Sequence, residues 1–309
     1  MKLSIVIVNW NTISYLRDCL ASIFENTTRL PFEVIVVDNA SHDGSAEMVS
    51  REFPLTKLKA NTLNTGFAKG NNIGYATAGG DYIAILNPDT IVHPNVFAES
   101  VSYLQSHPEV GIVTCKLLNP DGTLQRGYYR RFPNLSTVFF CFTIVGSCFD
   151  RLLLRSRWNN KYFYEDKRFD TIEQIDQTGG TFMLISKAVV ECTGLFDEQF
   201  PIFFNDVDLC KRIWQAGLEI HFLPHIAITH YGGRSVRQLG GWTAYKHLSI
   251  GCFHYFKKHH GLAKTAIVLL FFSLNLPLLV PWGLAVGIWH RISDRAHTSR
   301  NGVAGGHIR

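Results

Sequence analysis

The sequence has no CxxC pair, no single-residue tract and no internal repeat, and each absence removes a class of protein. Seven cysteines (Cys19, Cys115, Cys141, Cys148, Cys192, Cys210, Cys252) without paired spacing read as reduced, buried thiols in a cytosolic body, not as a disulfide framework or a zinc site. Gly 25 and Pro 11 in 309 residues are ordinary, and aromatics reach 13%, so collagen-like, solenoid and disordered chains are excluded. The dinucleotide-binding GxGxxG and the phosphate-loop GxxxxGK[ST] are both missing. The apolar run Leu3–Val8 is too short for the core of a secretory signal and gives way to Asn9-Trp10-Asn11, so export is not expected.

What net charge there is lies at one end. The formal net charge is +5, yet from Lys257 onward seven basic residues (Lys257, Lys258, Lys264, Arg291, Arg295, Arg300, Arg309) face Asp294 alone. Residues 1–256 therefore hold 23 basic side chains (30 less seven) against 24 acidic ones (25 less one), which argues against a nucleic-acid-binding body. The basic tail encloses Thr265–Trp289, an unbroken apolar stretch long enough for the ~20 residues a spanning helix needs. Pro277 and Pro281 would kink one spanning helix or split it into two halves in one leaflet, and the alternative is a pair of buried core helices. Basic residues on both flanks suit anionic headgroups and leave the orientation open.

Over the first 120 residues, short apolar runs alternate with helical periodicity. Strands are expected at Leu3–Val8, Glu33–Val37, Lys57–Thr62, Tyr82–Leu86 and Val110–Cys115, and helices at Ser14–Phe24, Ser45–Phe53, Ala68–Ala78 and Pro94–Ser106. Such a βαβα series implies an α/β fold with a mainly parallel sheet covered by helices. The second part is less regular. Basic and aromatic residues (Arg126, Tyr128, Tyr129, Arg130, Arg131) precede the apolar Val138–Phe149, followed by Arg151, Arg155, Arg157 and Lys161. That apolar core is too short to span a bilayer and reads either as an interfacial helix near 135–160 or as an ordinary amphipathic helix. Thr178–Ser186 is expected to be extended, Lys187–Thr193 and Val207–Trp214 helical, and Glu219–Leu223 and Ile226–Thr229 extended, ending at His230.

Buried parallel strands bind ligands beyond their carboxyl ends. Those ends carry Asn9 and Asn11, Asp38 and Asn39, and Asn87-Pro88-Asp89, with no Lys or Arg in the same turns, which is costly unless a cation or ligand joins them. Asn-Pro-Asp is either a plain turn or a hard-oxygen site for magnesium or manganese with substrate phosphates. Asp38 ends a strand ahead of Asn39, Ser41, Asp43 and Gly44: either Asp43 or Ser41 caps the helix that follows, or Asp38 accepts from a pyrimidine base or a ribose. Asn64, Gly66, Lys69 and Asn71 open a helix that either receives phosphate or ribose or is a glycine-rich turn with a cap. Asp206 and Asp208, two residues apart at a helix start, do not share a helix face and should have different jobs. His230, ending an apolar strand, is a metal ligand or a structural histidine.

Taken in order, Ser4–Asn11, Val36–Ser41, Asn64–Asn72, Leu86–Asp89, Gly179-Gly180, Asn205–Cys210 and His230–Gly233 resemble glycosyltransferase family 2, and most of all its bacterial rhamnosyltransferase-type branch. The resemblance spans roughly residues 3–260 and implies a GT-A fold, a Rossmann-like sheet with flanking helices, and inverting transfer from a nucleotide-sugar with Mg2+ or Mn2+. It implies donor contacts at Asn9, Asn11, Asp38, Asn39, Asn64, Gly66, Lys69, Asn71, Asn87 and Gly180. Asp89 would bind the metal in a variant DxD motif with Asn87 in place of the first Asp, and His230 would complete the metal shell. Asp206 matches the general base, and Asn205 departs from the family's usual Glu, which brings Asp208 into play as a second carboxylate. Arg130, Arg131 and Arg234 are candidates for acceptor or phosphate contacts.

The organisation this implies is a glycosyltransferase domain over 1–256, with a nucleotide-sugar half at 1–120 and an acceptor half at 121–256, then a basic membrane anchor at 257–309 with its apolar segment at 265–289. The expected partners are a nucleotide-sugar, a lipid-linked saccharide or polysaccharide acceptor, and a membrane, with no nucleic acid. The expected location is the cytoplasmic face of the cell membrane. The competing reading is a non-catalytic, membrane-anchored glycan- or partner-binding module on the same fold, although such a module would not require Asp38, Asp89, Asp206 and His230 together. A sugar nucleotidyltransferase would want a glycine-rich basic loop after the first strand, where this chain has Asn9-Trp10-Asn11-Thr12.

Overall fold

The computed structural model describes residues 2–200, 202–232 and 241–275. In chain order its elements are β1 (Leu3–Asn9), α1 (Ile13–Asn26), β2 (Phe32–Asp38), α2 (Ser45–Glu52), β3 (Lys57–Ala60), α3 (Gly66–Tyr75), β4 (Tyr82–Leu86), β5 (Thr90–Val92), α4 (Val96–Ser106) and β6 (Val110–Leu118). There follow β7 (Tyr129–Arg130), α5 (Leu135–Phe142), α6 (Ile144–Leu153), α7 (Arg157–Tyr162), β8 (Glu173–Gln174), β9 (Gln177–Thr178), β10 (Phe182–Ser186), α8 (Lys187–Thr193), α9 (Asn205–Gln215), β11 (Glu219–His230), α10 (Gly241–His259) and α11 (Leu262–Ser273).

β1, β2 and β4 are apolar on both faces because helices cover both sides of the sheet, and nearly every residue in them is buried. The nine-stranded sheet runs β3-β2-β1-β4-β10-β6-β11-β5, with β8 paired to β11. β1 is parallel to β2 and β4, β2 to β3, and β6 to β11. β10 is antiparallel to β4 and β6, and β5 and β8 are antiparallel to β11. The sheet is thus mixed, not mainly parallel as the alternation of elements suggested. An apolar run such as Phe182–Ile185 carries no direction; β10 follows the helical excursion α5–α7 and enters from the edge where β4 ends.

That reversal keeps the site on one edge. Asn9 pairs in register with Asp38, Phe182 lies opposite Leu86, and His230 lies opposite Thr90. The ends of β1, β2, β4 and β11 and the start of β10 therefore meet along a single rim. α3 lies directly on β1: a Cβ at Gly70 would sit 2.8 Å from Val8 Cγ1, so glycine lets the helix bring its first turn to the rim. β11 shifts register against β6 between Leu223 and Ala227, around Pro224, which has no amide to give to the ladder.

The expected apolar helix over Val138–Phe149 is two helices, α5 and α6, bent by 85°. The break is at Thr143, whose side chain caps α6 by accepting from Gly146 N. No single helix among the described residues is long and apolar enough to cross a membrane. α11 ends at Ser273, so the expected segment 265–289 lies largely outside the described residues. Asn275 Oδ1 accepts from Ile144 N at 2.7 Å, tying the end of α11 to the start of α6.

A second apolar core joins α5, α9, α10 and α11 through Val138, Val207, Tyr255, Phe256 and Val268. The expected boundary at 256/257 falls inside α10, and Lys258 pairs with Asp197 and Asp208 of the body, so part of the tail's positive charge is neutralised internally. The cysteines are free, but Cys148 and Cys192 are exposed, against the expectation of burial. They sit on α6 and α8, helices with only one covered side.

Candidate functional site

A cavity of about 490 Å³ opens on the rim and is lined by eight of the expected site residues: Asn39, Asn64, Gly66, Asn87, Asp89, Arg130, Gly180 and Asp206. Its volume suits a nucleotide-sized ligand. The remaining expected residues lie behind or away from it.

Asn9 and Asp38 form a knot behind the wall. Asn9 Nδ2 donates to Asp38 Oδ1 at 2.8 Å, and Ser41 gives Asp38 its amide at 2.9 Å and its hydroxyl at 2.6 Å. Asn11 Oδ1 accepts from His42 N at 2.8 Å, holding the same loop. Asn39 Nδ2 donates to Gly66 O at 3.0 Å while its Oδ1 accepts from Asn61 and Thr65, so the end of β2 fixes the start of α3. Asn64 Oδ1 accepts from Gly66 N at 2.9 Å. Lys69 is exposed on α3, and Asn71 is buried in it, donating to Phe67 O.

Across the rim, Asn87 takes the main-chain oxygen of Thr181 on its amide at 3.0 Å, joining β4 to the strand that sequence alone did not orient. Gly180 leaves space for the Phe67 ring, whose Cζ would stand 2.9 Å from a Cβ there. Asp89 is 4% exposed and His230 is fully buried; Asp89 Oδ1 lies 3.3 Å from His230 Nε2. Tyr231 N donates to Asp89 O at 2.9 Å and fixes the two chain segments together. Among the described residues no group of three or more His, Cys, Asp or Glu converges on a point, so a metal held here would rely on this pair and on ligand oxygens.

Asp206 enters the cavity from the first turn of α9. The residue before that helix, Phe204, is in the left-handed region at φ +68, a conformation costing roughly 1 kcal/mol that is tolerated because its ring packs into the second core. Arg130, from β7, donates Nη2 to Asp206 Oδ2 at 2.7 Å, and Asp206 Oδ1 accepts from Val207 N at 2.9 Å. Burial works against the Arg130 charge, but the Asp206 carboxylate outweighs it and holds the guanidinium firmly protonated. Asn205, where the family usually has Glu, donates to Ile202 O at 2.8 Å.

Asp208 and Arg131 are not brought into the cavity. Asp208 is fully buried beneath α9 among Arg212 at 2.9 Å, Lys258 at 2.9 Å and His259 at 2.8 Å. Burial pushes its pKa up, but His259, Arg212 and Lys258 together bring it down to about 2. Arg131 pairs with Asp166 at 3.1 Å and stacks 4.2 Å over the Tyr164 ring. Arg234 lies outside the described residues. Sequence reasoning missed Thr181, Asn72, which holds Phe196 and Glu198 against α3, and Gln125, which contacts His230. Asn72 closes the Asn64–Asn72 segment and Thr181 lies in the expected strand Thr178–Ser186, but neither stands out from its neighbours there, and Gln125 lies in no motif.

A mixed α/β sheet whose carboxyl rim gathers amides, two carboxylates and a histidine is the GT-A-like fold of nucleotide-sugar-dependent transferases. The chain belongs to glycosyl transferase family 2, whose sequence profile matches residues 4–193, and is a glycosyltransferase of the inverting type. It is 24% identical over 245 residues to the N-acetylglucosaminyl-diphospho-decaprenol L-rhamnosyltransferase of Mycobacterium tuberculosis, covering 75% of this chain and 77% of that one. It is 25% identical over 234 residues to rhamnosyltransferase WbbL of Escherichia coli, covering 74% and 82%. In fold it is similar to the Pyrobaculum calidifontis mannosyltransferase PcManGT solved with GDP-Man and Mn2+ (TM-score 0.55, 18% identity, 99% of this chain and 76% of that one). It is also similar to Staphylococcus aureus TarS 1-349 solved with UDP-GlcNAc (TM-score 0.54, 15% identity, 88% and 71%).

Proposed function

We propose that the chain transfers an L-rhamnosyl group from a nucleoside-diphosphate sugar to a lipid-diphosphate-linked saccharide, with Asp206 as base and Asp89 and His230 as ligands of a divalent cation. The observation that carries the reading is one cavity lined by two carboxylates, Asp89 backed by the buried His230 and Asp206 set by Arg130. The two rhamnosyltransferase relatives, each matched over about three quarters of this chain, support the sugar, and the decaprenol-linked name of one supports the acceptor.

The cation fits the residues present. His230 Nε2 is buried and without a hydrogen-bond partner, and a carboxylate oxygen stands beside it. One hard oxygen and one imidazole nitrogen suit Mn2+ or Mg2+ when diphosphate oxygens complete the shell. When bound, such an ion supplies neutralisation of the diphosphate charge as the leaving group departs.

The protein's own part is orientation and proton removal. Each oxygen of the Asp206 carboxylate accepts one hydrogen bond, from Arg130 or from Val207, which fixes its plane and leaves further acceptor capacity on both. An acceptor hydroxyl entering the cavity gives its proton to that carboxylate while its oxygen attacks the anomeric carbon; the bond to the diphosphate breaks on the opposite side, and the configuration inverts. Asn39, Asn64 and the α3 start provide polar walls for the nucleotide and sugar hydroxyls.

The location we propose is the cytoplasmic surface of an anionic membrane. α6 exposes Val145, Phe149, Leu152 and Leu153, and α11 exposes Leu262, Leu269 and Leu270, with Leu274 exposed just beyond its end. Arg151, Arg155, Arg157 and Lys161 are exposed, while the acid among them, Asp150, is buried and accepts from Trp158 N and Asn159 N. Apolar side chains mixed with unopposed cations suit an interfacial position, and the 265–289 segment would continue the attachment.

The test is turnover with a panel of nucleotide-sugars, membranes as acceptor source, and Mn2+ or Mg2+ present or chelated. Transfer of a deoxyhexose that requires the ion and is lost in Asp206→Asn supports the proposal. Transfer unaffected by chelation removes the cation, and transfer of another sugar alone removes rhamnose.

A further inference from the structure

His230 is held from behind by a row of polar side chains whose hydrogen-bond directions are forced. The Asp121 carboxylate accepts from Thr123 Oγ1 at 2.6 Å and from Thr123 N at 2.9 Å. With its proton committed, Thr123 Oγ1 accepts from Asn119 Nδ2 at 2.8 Å. Asn119 Oδ1 then faces Gln125 and accepts from its Nε2 at 2.7 Å, while Gln125 Nε2 also donates to the main-chain oxygen of His230 at 2.7 Å. Both amide protons of Gln125 are used, so the atom it turns to the imidazole, Oε1 at 2.8 Å from His230 Nδ1, can only accept.

Nδ1 must therefore carry a proton, and the neutral ring presents a lone pair at Nε2. That atom is buried, finds no donor and stands 3.3 Å from Asp89 Oδ1. In the neutral ring this makes two acceptors face each other, which repel; a cation bound to both turns the repulsion into attraction. The ring plane is fixed as well, because Tyr128 packs edge-on against it with centroids 5.0 Å apart. Built this way, the site faces a positive ion before one arrives.

The geometry points to Gln125 as the positioning residue that sets the tautomer of His230 for a divalent cation, an inference that rests on the proposed metal role of Asp89 and His230. Asn119, Thr123 and Asp121 act through Gln125 by fixing its amide. Residues that orient a metal-binding histidine in this manner typically change metal affinity about 10–100-fold when removed.

The experiment measures binding of Mn2+ complexes of UDP, dTDP and GDP, tried in turn, to the full-length protein by water-proton relaxation, which requires no turnover. Wild type, His230→Ala and Gln125→Met are compared, with thermal melting to check folding. The expected result is that His230→Ala loses tight binding and Gln125→Met weakens it by about 10–100-fold. If His230→Ala loses binding and Gln125→Met does not, the role of Gln125 is overturned while the metal site stands. If His230→Ala binds like wild type, the metal reading itself fails and takes this inference with it. Should Gln125→Met not fold, long-range proton–nitrogen NMR of the wild-type protein decides, with the His230 signals assigned by their loss in His230→Ala and the pH raised until the ring is neutral. A proton on Nδ1 is expected, and a proton on Nε2 overturns the inference.

Discussion

Arg130 Nη2 donates to Asp206 Oδ2 at 2.7 Å, across 76 residues of chain, inside the cavity that also holds Asp89. The pair brings together a strand of two residues and the first turn of α9, and it is the contact on which the orientation of the proposed base depends.

Asp206→Asn keeps the volume and the bond from Val207 but removes the proton acceptor. Turnover is expected to fall by about 10²–10⁴, the usual worth of general base catalysis, with donor affinity unchanged. Steady-state kinetics beside donor titration separates the two, and near-normal turnover would remove Asp206 from the role.

Arg130→Met leaves the carboxylate in place but frees it to rotate. We expect kcat to drop while KM for the donor stays within a few-fold. A rise in donor KM with unchanged kcat would instead make Arg130 a phosphate ligand.

Asp89→Ala should abolish the part of nucleotide-sugar binding that depends on Mn2+ or Mg2+. Calorimetric titration with and without the ion reads this directly, and equal curves for wild type and variant would refute the assignment.

Asp208 is a stability element. Its folded pKa of about 2 lies below the ordinary value of 3.8, so its contribution is complete above about pH 4 and is lost as pH falls toward 2. The shift corresponds to roughly 2 kcal/mol. Asp208→Ala at neutral pH should cost about 3–5 kcal/mol, because Arg212 and His259 lose the charge they surround. Denaturant unfolding of the two proteins at neutral pH, and of the wild type across the acid range, tests both statements; a wild type equally stable at pH 5 and pH 2 would contradict the second.

Replacing Arg151, Arg155 and Arg157 together by Gln should weaken binding to phosphatidylserine-containing vesicles by about 100-fold, at ~1 kcal/mol for each basic residue at the surface. Binding to neutral vesicles should change little. Co-sedimentation at low and high salt measures it, and equal loss on both vesicle types would indicate a folding defect.

The first half of the fold was legible because its chemistry is local. The runs Leu3–Val8, Val34–Val37 and Ile83–Leu86 are apolar on both faces and end in amides and carboxylates, which marks buried strands and the rim together. The direction of β10 was not, since it depends on where the preceding helices leave the chain. The break at Thr143 depends on a cap supplied partly by Asn275, more than a hundred residues away. Asp208 and Asp206 look alike in sequence; only α10, bringing Lys258 and His259, draws one into the interior while the other faces the cavity. Gln125 carries no signal because its importance lies in which way its amide is turned.

The reversed strand β10 also sets a timetable for biosynthesis. Asn87 meets Thr181 across 94 residues, Gln125 meets His230 across 105, and β5 joins the sheet through β11. A ribosome adding about 5–20 residues per second needs on the order of ten seconds between releasing Asp89 and releasing His230. During that interval the early strands can pair and α1 can hold β5 through Ser22 and Asn26, yet β5 has no strand beside it and the cavity has no far wall. A chain stalled before His230 therefore carries the early strands without a complete site, and catalysis waits until the polypeptide has been made past that residue.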